Sequence, residues 1–364
     1  MNCPLCKSQN LRHVFKVEKM PVFPNMVFNT AKEACAAPVG NMTLAVCDDC
    51  GFVFNETFEA NLLDFNQQYD NEQKHSTYYQ NYLQDIIDLL QTTLPATQKV
   101  AEIGCGKGHF LELLLKKGYD AIGFDPTYEG DNPKIVKDYF SEKYSTENAD
   151  LLVMRHMLYT VLNPFELLHT IAKANAYKGK VYIEVLDFEW ISNQNSFCDI
   201  CYEQVAYFTK DSLSSFFEKS TVGNLFGGQY IYLIADLADL CHTYTPNPKG
   251  GTHLQPTFET NMAYYKELAH THQPLVIWGA GGKGVSFTHL IDAGKGIVPC
   301  LIDINPSKQN RYIAPHGQLV QSPKAALAQT EHAFQSIFIV NPNYLKEIKD
   351  MLHHAEIEVF TFEA

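Results

Sequence analysis

Four cysteines, Cys3, Cys6, Cys47 and Cys50, fall into two C-x-x-C pairs, C-P-L-C and C-D-D-C, about 40 residues apart. Each such turn presents two thiolates on one side of a tight loop, and two turns supply the tetrahedral four-sulfur set that structural zinc prefers. The spacing predicts a bound Zn2+ that is structural, because a closed four-thiolate site leaves no position for substrate. Metal binding then provides folding energy to a segment too small to bury a core of its own. A third pair, Cys198 and Cys201, has no visible second half and reads as ordinary buried thiols.

A different chemistry begins at Lys99, in KVAEIGCGKGHFLELLLKKGYDAIGFDPT. A short apolar strand runs into Glu102, Gly104, Gly106 and Gly108, and a helix follows with Phe110, Leu111, Leu114 and Leu115 on one face. A second strand, AIGFD, ends at Asp125, beside Pro126. This is a β-α-β unit of a doubly wound sheet, whose ligands bind at the carboxyl ends of the strands. In E-x-G-x-G-x-G the acid precedes the first glycine and the glycines alternate, which favours S-adenosyl-L-methionine over NAD. That methyl donor has no pyrophosphate to rest on a helix N-terminus. Alternating glycines instead let the backbone approach its methionine and ribose closely, and Asp125, about 20 residues on, can accept both ribose hydroxyls. KDYFSEKY then offers Asp138 and Tyr139 as neighbours of the adenine, and the strand DLLVMRH, with Arg155, forms the floor beneath.

A second glycine turn lies in VIWGAGGKGVSF, where Gly279, Gly281 and Gly284 follow G-x-G-x-x-G with Lys283 inside the turn. A helix runs on through Ile291, and the next strand, VPCLIDIN, ends at Asp303. Alone, this stretch reads as a dinucleotide site, and Asp303 fits that reading. Lys283 adds a charge the fingerprint does not require, and amides at a glycine turn favour an anion. Three readings stand: a grip on the phosphate or nucleotide end of a substrate, a vestigial scaffold, or an NAD site. The first is the expectation taken forward, with Gly281 and Lys283 joined by Asn341, Asn343 and Tyr344 after the strand in SIFIVNPNY.

The elements that must position these groups suggest an α/β chain in three parts. We expect a zinc-binding module over 1–65, a central class I, Rossmann-like domain over 66–240, and a C-terminal Rossmann-like α/β domain over 241–364. The Pro-, Gly- and Thr-rich CHTYTPNPKGGTHLQPT reads as the linker, and a helix over 257–272 leads into the last part. A hydrophobic fraction of 46% and a charged fraction of 19% fit a globular chain. A formal charge of -13 argues against a binder that tracks nucleic-acid phosphates. No segment approaches the roughly 20 apolar residues of a membrane span, and MNCPLCKSQN has no signal-like apolar core. A cytoplasmic monomer or dimer with reduced thiols is expected.

With these stretches in view, the chain resembles the three-domain zinc-containing nucleotide-sugar C-methyltransferases, most closely their uncharacterised members. The resemblance covers nearly the whole sequence. It is carried by the two cysteine pairs, YDNEQKHSTYYQNYL, EIGCGKGHFLELL, IVKDYFSEKY, ICYEQVAYFTKDSLSSFF, FGGQYIYLIA, VIWGAGGKGVSF with IDINPSKQNRYI, and IVNPNYLKEI. It implies a nucleotide-linked keto deoxy sugar as substrate, and a base that removes the proton beside the ketone so that an enolate attacks the methyl group. It also implies two histidines where this chain has Gln204 and Thr160, neither of which takes a proton at neutral pH.

The remaining catalytic candidates are Glu203, His156, Tyr202 and Tyr79, with Gln204, Tyr207 and Gln229 facing the substrate and Tyr78, Tyr159 and His75 nearby. Glu203 is the best base, because a carboxylate among apolar and aromatic groups has its pKa raised toward the working pH. Tyrosines can donate to a developing enolate oxygen. Each has a packing role set against it: Glu203 as an orienting carboxylate, His156 as a satisfied half-buried histidine, and the tyrosines as the face of a linking helix. The leading expectation is C-methylation. O- or N-methylation, which needs a weaker base, and a noncatalytic binding protein that lost its bases are the alternatives.

Overall fold

Sheet membership cuts across the order of the sequence. The computed structural model describes residues 2–63, 69–94, 98–247, 249–328, 334, 336–352 and 357–362, without the side chains of 145–147. The expected boundary at 65 lies outside the described residues.

The first sheet is antiparallel, in the order Leu11–Pro21, Val39–Cys47, Val53–Asn55 and Ala206–Tyr207. Leu11 pairs with Cys47, and the C-D-D-C turn joins the second and third strands. The register therefore carries the N-terminal C-P-L-C turn to the edge where the other cysteine pair sits. The last strand, Ala206–Tyr207, arrives from the middle of the chain and pairs with Val53–Asn55.

The second sheet has seven strands: Thr221–Leu225, Tyr230–Asp236, Lys180–Leu186, Leu151–Arg155, Lys99–Ile103, Asp120–Phe124 and Ile135–Val136. The last five are mutually parallel, and the two at the other edge run antiparallel to their neighbours. Strands such as Leu151–Arg155 read as near-continuous apolar runs because helices cover both faces of a parallel sheet. From Lys99–Ile103 the chain first winds outward through Asp120–Phe124 and then returns to the other side with Leu151–Arg155. The reversal opens a crevice at the carboxyl ends of Lys99–Ile103 and Leu151–Arg155, where doubly wound sheets bind ligands.

The third sheet runs Glu358–Thr361, Ser336–Ile339, Leu275–Trp278, Cys300–Ile302, Gln318–Gln321, Tyr312–Ile313 and Val27–Phe28. Its first five strands are parallel, and its reversal lies between Leu275–Trp278 and Ser336–Ile339. Its final strand comes from the N-terminal segment. The expected helix at 257–272 forms as Phe258–Thr271, and the stretch from 241 to 256 carries no helix or strand among its described residues.

One apolar cluster joins all three sheets, from Phe15 through Tyr82 to Phe287. In the third unit Phe287 stacks on Phe338 with ring centroids 4.4 Å apart, and Tyr265 and Phe362 meet the pair edge-on. The helix Thr77–Thr93 buries Tyr79, Leu83, Ile86 and Leu90 at helical spacing. Its N-terminus is held by Ser76 and by Glu347 from the far end of the chain, whose carboxylate accepts from the Ser76 hydroxyl at 2.6 Å and the Thr77 amide at 3.0 Å. A carboxylate there satisfies orphan amides and the helix dipole together. No helix among the described residues is long and apolar enough to cross a membrane.

Candidate active site and metal centre

The four cysteines predicted as ligands converge, with their sulfurs all within 4.8 Å of one another. Cys3 Sγ lies 3.6 Å from Cys50 Sγ, and Cys6 Sγ lies 3.5 Å from Cys47 Sγ. A tetrahedral Zn–S shell with bonds of about 2.3 Å places its sulfurs about 3.8 Å apart, so the donor set fits zinc. The turns are closed by backbone bonds from Lys7 to Cys3 and from Gly51 to Cys47. Cys198 and Cys201 are buried and diverge, toward the hydroxyls of Ser196 and Ser286 respectively.

At the end of the strand Lys99–Ile103, the chain enters the left-handed region at Gly104 (φ 75°) and Gly106 (φ 53°), conformations that glycine adopts without strain. A Cβ at Gly104 would press on Met157 at 3.2 Å, whereas one at Gly106 would meet nothing within 4 Å. The space above Gly106 is therefore open. Asp125 closes the turn by accepting from the Gly106 amide at 2.8 Å, while its other oxygen takes the amide and hydroxyl of Thr127. Glu102 is 3% exposed, and its Oε2 has no hydrogen-bond partner among the described residues. Burial pushes its carboxyl up to about 8 against the opposing Arg155, with Asp125 adding to the rise. An orphaned acceptor and an open glycine turn at a switch point fit a cofactor with hydroxyls and a positive centre.

The other predicted cofactor contacts divide. Pro126 is exposed beside the turn, and Tyr139 stands 74% exposed. Asp138 accepts from Lys143, Tyr144 and its neighbour's amide, and these bonds hold it well below the usual carboxylate range. Arg155 is committed to a buried network: its Nε donates to Glu184 at 3.1 Å, and its guanidinium lies 4.5 Å over the Phe110 ring. Glu184, on the adjacent strand, also receives Tyr182 at 2.7 Å and His156 Nε2 at 2.8 Å. Burial would raise its carboxyl, but Arg155 and His156 outweigh it and hold the group near about 2. His156 takes φ 54°, unusual for a residue with a side chain, just after the strand Leu151–Arg155 ends. That turn aims the imidazole back at Glu184.

A cavity with about 1300 Å³ of atom-free space, part of it open to solvent, lies between the central and third sheets. His156, Tyr159 and Leu186 line it from the central sheet, Glu203 and Gln204 from the following loop, and Gly281, Lys308, Asn341 and Tyr344 from the third unit. Glu203 is 4% exposed. Its Oε1 accepts from Asn25 Nδ2 at 3.0 Å and the Tyr69 hydroxyl at 3.2 Å, while Oε2 and the Gln204 amide oxygen have no partner among the described residues. Burial raises the Glu203 carboxyl to about 7, with Asn25, Tyr69 and Lys308 pulling the other way. A buried carboxyl raised toward neutrality in the wall of a cavity has the properties of a general base.

Four expected catalytic or substrate-facing residues, Tyr202, Tyr207, Tyr79 and Gln229, do not line this cavity, and the three tyrosines are engaged elsewhere. The Tyr202 hydroxyl accepts from the Glu59 amide at 3.0 Å and its ring fills the space left by Gly40. Tyr207 bonds the backbone of Cys201, and Tyr79 packs against Tyr82 and Phe226. All three are buried where their neighbours consume the polar tip or the ring face, which spacing along the chain does not reveal.

Lys283 lines the cavity but is already paired. Its ammonium lies 2.9 Å from Asp199 and 3.0 Å from Gln229 Oε1, 5.2 Å over Trp190. Gln229 in turn exchanges hydrogen bonds with Asn341, and Tyr344 donates to Gln73 at 2.6 Å. Asp199 is 3% exposed, so removing its cation leaves a buried charge uncompensated. Lys283→Ala is expected to cost about 3 kcal/mol of stability, read as a lowered urea midpoint, and the charge-neutral pair Lys283→Met with Asp199→Asn should recover much of it.

Asp70 ties the first glycine turn to the third unit. It takes Lys107 of the first turn at 2.8 Å and Asn305 of the third unit at 3.2 Å, and it is also bonded by Ser307. Asn25, Tyr69, Asp70, Glu184 and Lys308 are absent from the sequence-derived set. The motif NPSK places Lys308 shortly after the strand Cys300–Ile302, yet gives no sign that its side chain is buried.

A family model described as a methyltransferase domain matches residues 74–220. No curated protein matches the chain. Among solved structures it is similar to a SAM dependent methyltransferase from Archaeoglobus fulgidus, at 17% identity over 44% of this chain and 99% of that chain, with a TM-score of 0.32. It is also similar to the 1,6-didemethyltoxoflavin-N1-methyltransferase of Burkholderia thailandensis, solved with 1,6-didemethyltoxoflavin and S-adenosylhomocysteine, at 14% identity over 51% of this chain and 96% of that chain, with a TM-score of 0.33. The family match makes residues 74–220 a methyltransferase domain and the chain a methyltransferase enzyme.

Proposed function

We propose that the chain transfers a methyl group from S-adenosylmethionine to carbon on a small anionic substrate, a nucleotide-linked keto deoxy sugar, with Glu203 as the base. One observation supports this reading: Glu203, whose buried Oε2 has no partner among the described residues, lines a cavity that runs from His156 and Tyr159, at the carboxyl edge of the methyltransferase sheet, to the second glycine turn. The donor supplies an electrophilic methyl on sulfur when bound. Glu102, the turn at Gly104–Gly108 and Asp125 would hold it, leaving Glu203 to take a proton from the substrate and Gln204 to accept from a substrate hydroxyl. Asn341 and Tyr344 would border the nucleotide end. Three units serve this arrangement: a zinc module to about residue 65, a methyltransferase domain to about 240 and a Rossmann-like substrate domain beyond.

Asp125 provides a direct test of the donor site. Charge-assisted hydrogen bonds of this kind contribute about 1.5–3 kcal/mol, so Asp125→Ala is expected to weaken S-adenosylmethionine binding by about 10- to 100-fold in isothermal titration. Equal affinity in wild type and variant would remove the ribose-binding role. Methyl transfer by the wild-type protein, assayed on a panel of nucleotide-linked keto deoxy sugars with mass analysis of the product, tests the substrate class.

A further inference from the structure

The third unit repeats the hydrogen bonds that set Asp125 in the first β-α-β unit. There the Gly104 amide donates to the Phe124 carbonyl at 2.8 Å, and the Asp125 amide donates to Val136 on the next strand at 3.0 Å. The Asp125 carboxylate takes the Gly106 amide on one oxygen and the Thr127 amide on the other. In the third unit the Gly279 amide donates to Ile302 at 2.7 Å, and the Asp303 amide donates to Gln321 on the next strand at 3.1 Å. The Asp303 carboxylate takes the Ala280 amide at 2.7 Å on one oxygen and the Asn305 amide at 2.8 Å on the other. The turn amide comes one residue sooner after its glycine, at Ala280 where the first unit uses Gly106. Asp303 thus stands just past its strand in the arrangement of the acid proposed to hold the donor's ribose.

A carboxylate offers about four acceptor positions. Among the described residues two amides fill their share on Asp303, which leaves room for the two hydroxyls of a ribose diol. Asp303 lines the large cavity together with Ile304, Ile348 and Met351, apolar side chains able to flank a flat base. The pyrophosphate part of a dinucleotide site is closed, however. It would need free amides at the helix start, but Asn25 Oδ1 accepts from the Gly282 amide at 3.0 Å and Asp303 holds that of Ala280. The cation beside the turn is Lys308, whose Nζ would lie 3.7 Å from a Cβ built on Gly281. Its ammonium has three donors and makes one hydrogen bond among the described residues, to the Ala280 carbonyl at 3.1 Å.

From this correspondence we infer that Asp303 holds the 2′- and 3′-hydroxyls of a ribonucleotide, so that the substrate's carrier is a ribonucleoside diphosphate and not a 2′-deoxy one such as thymidine diphosphate. Asp303 accepts from the diol, the base lies among Ile304, Ile348 and Met351, and Lys308 meets the phosphates. A 2′-deoxyribose leaves part of the carboxylate without a donor, and a site built on a hydroxyl rejects the analogue that lacks it.

The inference rests on the nucleotide-linked reading above, and a comparison of nucleotides separates the two. Zinc-loaded full-length protein, saturated with S-adenosylhomocysteine to fill the donor site, is titrated calorimetrically with the diphosphates of uridine, cytidine, guanosine and adenosine, and with their 2′-deoxy counterparts and thymidine diphosphate. The best ribonucleotide is expected to bind wild type at least about tenfold tighter than its 2′-deoxy form, the contribution of one hydrogen bond to a charged group. Asp303→Ala should bring that ratio close to one, with S-adenosylhomocysteine affinity unchanged as the check that the fold persists. Lys308→Met should weaken both forms by about tenfold and keep the ratio; unchanged affinity overturns its part in the site. Equal binding of the ribo and deoxy forms by wild type, or a ratio that survives Asp303→Ala, overturns the ribose assignment while leaving a nucleotide-linked substrate. Binding of none of these diphosphates overturns the nucleotide-linked reading, and the inference with it.

Discussion

Glu203→Gln is expected to lower the rate of methyl transfer by about 10²- to 10⁴-fold, the usual contribution of a positioned general base. Glutamine preserves the shape and the bonds from Asn25 and Tyr69 but cannot accept a proton, so S-adenosylmethionine affinity should not change. The pH profile of kcat/KM supplies a second readout. With the Glu203 carboxyl raised to about 7, the wild-type rate should climb as pH passes through that value and the base ionises, and this ascending limb should vanish in the variant. Stability runs the opposite way. Glu102 and Glu203 titrate at about 8 and about 7, above the 4.5 of a free glutamate, so their neutral forms favour the fold. That contribution is complete below 4.5 and fades as pH rises through 7 to 8. A rate that is flat across this range in wild type, or a variant that retains full activity, would exclude Glu203 as the base.

The second large effect is expected at the metal centre. Cys47→Ser breaks a four-sulfur set whose zinc binding contributes about 10–16 kcal/mol in small zinc-folded units. Metal analysis should show loss of stoichiometric zinc, and a thermal melt should show the first sheet lost or greatly destabilised. The consequence should reach the active site as well. Cys47 ends the strand that pairs with Leu11–Pro21, and the same N-terminal segment carries Asn25, which holds Glu203. Phe52, beside this sheet, also stacks on Phe54 and meets Phe208 from the central part of the chain edge-on. Transfer activity is therefore expected to fall with zinc occupancy under chelation. Wild-type protein purified without zinc that melts and turns over normally would contradict a structural metal.

The four-cysteine cluster and the first β-α-β unit are legible in the sequence because each part is local. A C-x-x-C turn, or a strand feeding a glycine turn, declares itself within a few residues. Glu203 was legible as a candidate base through its type and surroundings, a carboxylate in a stretch with Tyr202, Tyr207 and Phe208. Its supports were not. Asn25 and Tyr69 reach it across 178 and 134 residues of chain, and no periodicity links them. The two-residue strands Val27–Phe28 and Ala206–Tyr207 are too short to carry a pattern, yet they stitch the sheets together and bring those supports into place. Lys283 and Lys308 look alike in sequence, each beside a turn of the third unit. Only packing distinguishes the one paired with Asp199 from the one bonded to the Ala280 carbonyl.

Placement of the methyl donor is the claim on which the rest depends, and a crystal structure with S-adenosylhomocysteine tests it directly. The ribose is expected at Asp125, the amino-acid end over Gly104 and Gly106, and the sulfur pointing past His156 into the cavity that Glu203 lines. An adenosine bound at Gly279–Gly284 instead, or a sulfur turned away from Glu203, would contradict it.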